Sequence, residues 1–385
     1  MTGAADAAVD AASVPALRRA VVDLGAVRAN VEHVRDQMAP AEVMVVVKAG
    51  GYGHGAVAVA RAALEGGATW LGVADVDEAL ALRQAGIGAP VLAWLHGEDP
   101  SFAAAVEASV TLGVSTVRQL ERAVEAGSAE RPARVHLKVD TGLGRNGIAP
   151  SEWLAVFDAA RAAEVRGRVV VEGLFSHLSN ASDDDDLAQL AAFETATALA
   201  RSAGLAPRIR HLSATAGALH LPAARLDLVR LGIGAYGLSP FDGVRSASLG
   251  LRPAMRLESR LISVKRVAAG TGVSYGYTYR PAVDSWLGLV PLGYADGIPR
   301  HVSNTGSVWV GGAPRRIVGR VAMDQFVVDL AEHEAAVGDR VVLFGDPSDG
   351  HPGAEDWALA ASTIDYEIVT RLGGRIVREY DGGLR

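Results

Sequence analysis

The 385-residue sequence predicts an α/β protein: a (β/α)8 TIM-type barrel over residues 16–250, followed by a mainly β C-terminal domain over residues 251–385, with residues 1–15 as a mobile leader. Two observations carry this. Eight short β-rich runs recur through the first two-thirds, most of them followed by an alanine- and leucine-rich stretch with helical spacing, the alternation that builds a parallel sheet covered by helices. After about Arg252 the texture changes to closely spaced strand candidates and turn residues with few helical stretches, which reads as a second, β-rich domain.

In chain order the barrel strands are expected at VMVVVK (43–48), TWLGVA (69–74), PVLAW (90–94), SVTLGV (109–114), RVHLKVD (134–140), VVVEGLFSH (169–177), RIRHLSA (208–214) and LDLVRLGI (226–233). Segments such as DVDEALALRQAG and SDDDDLAQLAAFETATALARSAG supply the helices, and the acidic run 183–186 reads as a solvated helix start, where carboxylates suit the dipole. The second domain is expected to draw its strands from RLISVKRV, GVSYGYTY, WLGLVPLGY, SVWVGG, RRIVGRV and RVVLFG. A final helix, TIDYEIVTRLGG, is expected to end at its glycine pair as a C-cap.

The net charge of −7 and the absence of a basic patch argue against nucleic acid, and no apolar run approaches the ~20 residues of a membrane span. Without cysteine there are no disulfides, thiolate metal sites or cysteine nucleophiles, and no metal is expected. The opening MTGAADAAVDAASVPALRR lacks a charged start and an apolar signal core, so the cytoplasm is the expected location. Only Lys48, Lys138 and Lys265 are lysines, against 37 − 3 = 34 arginines. In such a chain a retained lysine points to chemistry that arginine cannot perform, deprotonation or Schiff-base formation.

Chemistry in such a barrel sits at the carboxyl ends of the strands. There the sequence places Lys48, Lys138 with Asp140, His177, Thr215, and Arg230 with Gly232. In VVVKAGGYGHG a buried-strand pattern ends in Lys48 and breaks into glycines that let backbone approach a ligand. Thr215 follows the seventh run and Gly232 lies near the end of the eighth, where barrels commonly hold a phosphate. A phosphate site facing a lysine suggests pyridoxal 5'-phosphate, whose aldehyde takes a lysine amine.

With these residues, the sequence resembles the alanine racemase family. The likeness runs through KAGGYGHG, LKVDTGLGRNG (137–147), LDLVRLGIGAYGLSP (226–240), GVSYG (272–276), PLGYADGIPR (291–300), GRVAMDQ (319–325) and TIDYEIVTR (363–371). It implies a homodimer that racemises a small amino acid, alanine first, with active sites shared between subunits. Lys48 would hold the cofactor and act as one base, and Tyr275 of the partner subunit would be the second. Arg230 would face the pyridine nitrogen, supported by His177. Tyr52, Thr215, Gly232, Ile233 and Tyr366 match phosphate-binding positions. Arg145 matches the residue on the substrate carboxylate and the cofactor phenolate oxygen, and Met323 a backbone donor from the partner. Lys138 falls where family members often carry a carbamylated lysine, and Tyr294 and Arg300 where they line an access corridor.

The chain departs from the family pattern at Gly50, where asparagine or aspartate is frequent, and at Ala214-Thr215, where asparagine-serine is frequent. The hydroxyl survives at Thr215, but a polar amide near the cofactor is lost. Serine or another small amino acid in a specialised pathway is therefore an alternative substrate. A related barrel decarboxylase is disfavoured by Arg230 and by the missing cysteine. A cofactor-binding protein without turnover is disfavoured by the second domain that carries Tyr275 and Met323.

Overall fold

A computed structural model describes residues 16–97 and 101–382. The expected leader, residues 1–15, lies outside the described residues. Strand β1 (Arg18–Asp23) is followed by eight strands of one parallel sheet: β2 (Glu42–Val46), β3 (Trp70–Val73), β4 (Val91–Ala93), β5 (Thr111–Val114), β6 (Ala133–Lys138), β7 (Val169–Phe175), β8 (Ile209–His211) and β9 (Leu228–Leu231). Their order is β8-β7-β6-β5-β4-β3-β2-β9. The two end strands approach through an Ala214–Arg230 bridge and backbone bonds from Arg230 to Ser213 and from Asp227 to Arg210. Arg210 also grips the Asp227 carboxylate with two nitrogens, at 2.8 and 3.0 Å. All eight strands coincide with the expected runs, which read as buried because both faces of a parallel sheet are covered.

Four of the helices between the strands are started by side chains that accept a free first-turn amide: Asp23 for Leu24–Met38, Asp75 for Val76–Gln84, Thr116 for Val117–Ala126 and Ser182 for Asp183–Ser202. The acidic run does open the last of these, but it is not wholly solvated. Asp186 is buried, accepting from the amide of Asn180 and the hydroxyl of Ser179. Met44, Trp70, Leu92, Ile209 and Leu228 fill the barrel, with Trp94 against them.

The second unit is built on a nine-stranded sheet that adds β10 (Met255–Arg260), β11 (Ser263–Val267), β12 (Ser285–Val290), β13 (Ser307–Val310), β14 (Ala313–Val318), β15 (Phe326–Ala331), β16 (Arg340–Phe344) and β17 (Val377–Asp381), in the order β11-β12-β15-β14-β13-β16-β10-β1-β17. The units are not two contiguous blocks. The described residues up to Val21 group with Arg256–Thr363 and Leu372–Glu379, whereas Ile364–Arg371 groups with the barrel. Buried Glu258 on β10 ties its two neighbouring strands together, pairing with Arg19 of β1 at 2.7 Å and with Arg340 of β16.

Two local expectations fail. GVSYGYTY is not a strand: Ser274, Gly276 and Tyr277 have φ of 59°, 70° and 47°, which breaks the ladder and leaves a single Val273–Tyr279 bridge around a 3-10 turn at Tyr275–Tyr277. The final helix spans Asp365–Thr370 and stops at Arg371 with ordinary right-handed backbone, so Gly373 and Gly374 do not cap it. Among the described residues no helix is long and apolar enough to cross a membrane, and no cluster of three metal-ligating side chains occurs.

Candidate active site

The loop after β2 makes a left-handed turn. Five successive residues have positive φ: Ala49 53°, Gly50 62°, Gly51 64°, Tyr52 50° and Gly53 79°. Left-handed backbone costs roughly 1–2 kcal/mol at each non-glycine position, here Ala49 and Tyr52. The glycines answer different constraints. A Cβ on Gly53 would fall 2.1 Å from the Val369 carbonyl oxygen, and one on Gly51 3.0 Å from the Ala56 nitrogen, whereas Gly50 faces open space. This turn sends Lys48 and Tyr52 into one cavity.

That cavity, of about 100 Å³, is lined by Lys48, Tyr52, Lys138, Arg145, His177, Arg230 and Gly232, with Trp94, Phe175 and Ala214 among its walls. Burial, with Arg145 next, depresses the Lys48 amine below its ordinary value, and Glu78 opposes the shift. Burial and the cations Arg230 and Arg145 bring Lys138 down to about 8, with Asp140 opposing them. Its Nζ lies 5.7 Å from the centre of the Phe175 ring.

Arg230 is buried, and burial pulls its guanidinium down to about 9, still well above neutral pH. It donates to the carbonyls of Ser176 and Leu212, both at 2.8 Å, to Nδ1 of His211 at 2.8 Å and to Nδ1 of His177 at 3.0 Å. Arginine only donates, so both histidines present lone pairs at Nδ1. His211 then carries its proton on Nε2 and donates to Nδ1 of His136, 2.9 Å away. The buried Nε2 of His136 has no partner among the described residues. Phe175 stacks flat on His211, centroids 4.6 Å apart.

These contacts fix the response to acid. His177 and His136 are held at about 2 and about 3, and His211 well below the ordinary 6.5, each through burial first. Folded values below the unfolded one mean that the full contribution is present above about pH 6.5 and is lost as pH falls below it, because the unfolded chain takes up protons that the folded one excludes. Each histidine should cost about 1.4 kcal/mol per pH unit in that range. Urea unfolding at pH 7.5, 6.5 and 5.5 is expected to show this decline, with a slope smaller by about one proton in His211→Gln. A flat profile would contradict the assigned neutral tautomers.

On the other side of the cavity the Gly232 amide donates to Thr215 Oγ1 at 3.0 Å. A Cβ on Gly232 would fall 2.7 Å from the Tyr52 hydroxyl, so only glycine leaves this cradle open. Tyr52 stacks on Tyr236 at 4.7 Å and has Tyr366 at 6.2 Å; burial raises the Tyr52 phenol to about 12 and Tyr366 further. Ile233 is buried and opens the next 3-10 turn.

The remaining expected residues lie in the β unit. Tyr275 and Met323 are 72 % and 54 % exposed, Tyr294 begins a 3-10 turn and is 43 % exposed, and Arg300 begins another. Sequence reasoning missed His211, whose only signal was a histidine inside the expected strand RIRHLSA, and missed Glu78 in DVDEALALRQAG.

A parallel barrel with lysine and arginine at its mouth, joined in one chain to a β unit, defines a two-unit class of barrel proteins. Residues 22–240 match the family model described as alanine racemase, N-terminal domain, and residues 254–380 that of the C-terminal domain. An alanine racemase of Thermobifida fusca is 49% identical over 368 residues, covering 94% of this chain and 98% of the relative. One of Salinispora tropica is 52% identical over 366 residues, covering 94% and 97%. The crystal structure of alanine racemase from D-cycloserine-producing Streptomyces lavendulae superposes with a TM-score of 0.94 at 47% identity, covering 96% of this chain and 98% of that one. The chain belongs to the alanine racemase family and is an isomerase.

Proposed function

We propose that this chain is a pyridoxal 5'-phosphate-dependent racemase that interconverts L- and D-alanine in the cytoplasm as a homodimer. The observation that carries the reading is the convergence of Lys48 and Arg230 on one cavity, an amine of depressed basicity opposite a buried cation. The residues suit the cofactor. Lys48 would bind its aldehyde, the Gly232 cradle with Thr215, Tyr52, Ile233 and Tyr366 its phosphate, Arg145 its phenolate oxygen, and Arg230, backed by His177, its ring nitrogen. When bound, the group delocalises the electron pair left at Cα on proton removal.

The chain's own residues then divide the work. Depressing the Lys48 amine enlarges the neutral fraction that accepts a proton from one face of Cα. The partner subunit's Tyr275 would serve the opposite face, a role supported by its exposure. Arg230 keeps its proton and so would leave the ring nitrogen of the bound group unprotonated, which would weaken its pull on electrons and favour racemisation over transamination. Arg145 and the partner subunit's Met323 amide would hold the substrate carboxylate. Tyr294 and Arg300 would line the way in. At about 8 the Lys138 amine is available to add carbon dioxide, with loss of a proton, giving a carbamate anion that would orient Arg145.

Tyr275→Phe is expected to cut racemisation in both directions by roughly two orders of magnitude or more. Exchange of the α-hydrogen with deuterated solvent should persist slowly for one enantiomer only. Equal residual exchange from both would indicate one base reaching both faces. The function itself is tested by chiral assay over alanine, serine, and a branched and a charged amino acid. Alanine should have the highest kcat/KM, with weaker serine activity, because one extra small group costs only ~1–3 kcal/mol of discrimination. A higher value for the branched or charged substrate would overturn it.

A further inference from the structure

Asp75-Val76-Asp77-Glu78 has the spacing of a capping box, in which the carboxylate at the third helical position returns to the amide of the cap residue. Half of that pattern is present: Asp75 accepts from the Glu78 amide at 2.9 Å. The other half is diverted. One oxygen of Glu78 accepts from the amide of Ala74, at the end of β3, at 2.8 Å, and the other from the amide of Ala49, at 2.6 Å. Ala49 immediately follows Lys48 and is the first left-handed residue of the turn. Within the turn Gly51 donates to Val47, Gly53 to Ala49, His54 to Gly51 and Gly55 to Gly50. The acceptor for Ala49 comes from the first turn of the helix that follows β3.

We propose that Glu78 is a positioning residue for Lys48: by bridging the amides of Ala49 and Ala74 it pins the strained turn to the neighbouring strand end and fixes the direction from which the lysine enters the cavity. Unfavourable backbone persists only where surrounding contacts over-determine it, and this carboxylate is such a contact. Glu78 is also the acid that acts on the Lys48 amine, against burial, Arg145 and Arg230. The role rests on Lys48 being the reactive lysine.

The test compares Glu78→Ala and Glu78→Gln in protein purified with pyridoxal 5'-phosphate, by hydrogen–deuterium exchange of peptides covering residues 47–55 and by steady-state racemisation of alanine. Glu78→Ala should speed exchange at residues 49–53 about tenfold or more, since local opening sets the rate. It should also lower kcat roughly 10- to 100-fold, as small misplacements of a reacting group do, with KM nearly unchanged. Glu78→Gln, retaining one carbonyl acceptor, should fall between. Unchanged exchange and kcat in Glu78→Ala would overturn the proposal. So would a lower melting temperature with kcat unaffected, which would leave Glu78 as a helix cap alone. If the wild-type protein neither holds the cofactor nor racemises alanine, the functional reading fails, and exchange at residues 49–53 still decides whether the clamp exists.

Discussion

Lys48→Ala is expected to abolish covalent attachment of pyridoxal 5'-phosphate and to remove racemisation, while leaving the barrel folded. The expected loss is at least about 10⁴-fold, because the attachment point and one proton acceptor disappear together. The fold should survive because the side chain is only half-buried and the turn around it is held by backbone bonds. The remaining lysines are not expected to substitute. Lys138 shares the cavity but sits among cations at the end of β6, and Lys265 lies on β11 with an exposed side chain. Borohydride reduction of the wild-type protein followed by peptide mapping checks the assignment. Cofactor trapped on Lys138 or Lys265 would overturn it.

Arg230→Glu is expected to have the second large effect. Racemisation should fall by roughly two orders of magnitude or more, and pyruvate formed by transamination should rise relative to it, since an acid at this position lets the ring nitrogen hold a proton. The surroundings make the change severe. Two carbonyls and two histidine lone pairs now receive donors from Arg230, and a carboxylate would face all four with nothing to give. Arg230→Lys separates reaction from folding: it keeps the charge but loses the planar fork, and should retain weak racemisation without added pyruvate. An Arg230→Glu protein that is folded, slow and free of pyruvate formation would assign Arg230 to packing alone.

Much of the barrel was legible because its strands are buried on both faces and so read as unbroken apolar runs, with lysine, histidine, threonine and arginine standing out at their ends. The β unit was harder. Strand β1, RRAVVD, precedes the barrel yet pairs within the other sheet, and no local pattern encodes that partner. Strands β15 and β17, FVVDLA and VREYD, alternate too briefly to separate from neighbouring loops. GVSYGYTY has strand composition, but its backbone signs are set by contacts distant in sequence. In the site, Lys48, Lys138, His177, Arg230 and Gly232 stood out by type and by their place at strand ends, whereas Tyr52 and Arg145 came only through the family resemblance and Trp94 and Phe175 on the cavity wall were not picked out. His211, His136 and Glu78 were missed, because each acts through another side chain or an amide, and nothing in a single sequence marks who stands behind whom.

The left-handed turn beside Lys48 also determines where this loop can drift. Gly53 and Gly51 are confined by neighbouring backbone, so a mutational scan should find them intolerant. Gly50 has the same sign of φ, but a Cβ added there would meet no atom within 4 Å, leaving backbone preference as its one constraint. Asparagine and aspartate accept that conformation more readily than other side chains. Gly50→Asn should therefore be nearly neutral, or stabilise by a few tenths of a kcal/mol through a less flexible unfolded chain. In a selection for growth on limiting D-alanine, position 50 is where variants should accumulate, next to glycines that do not change.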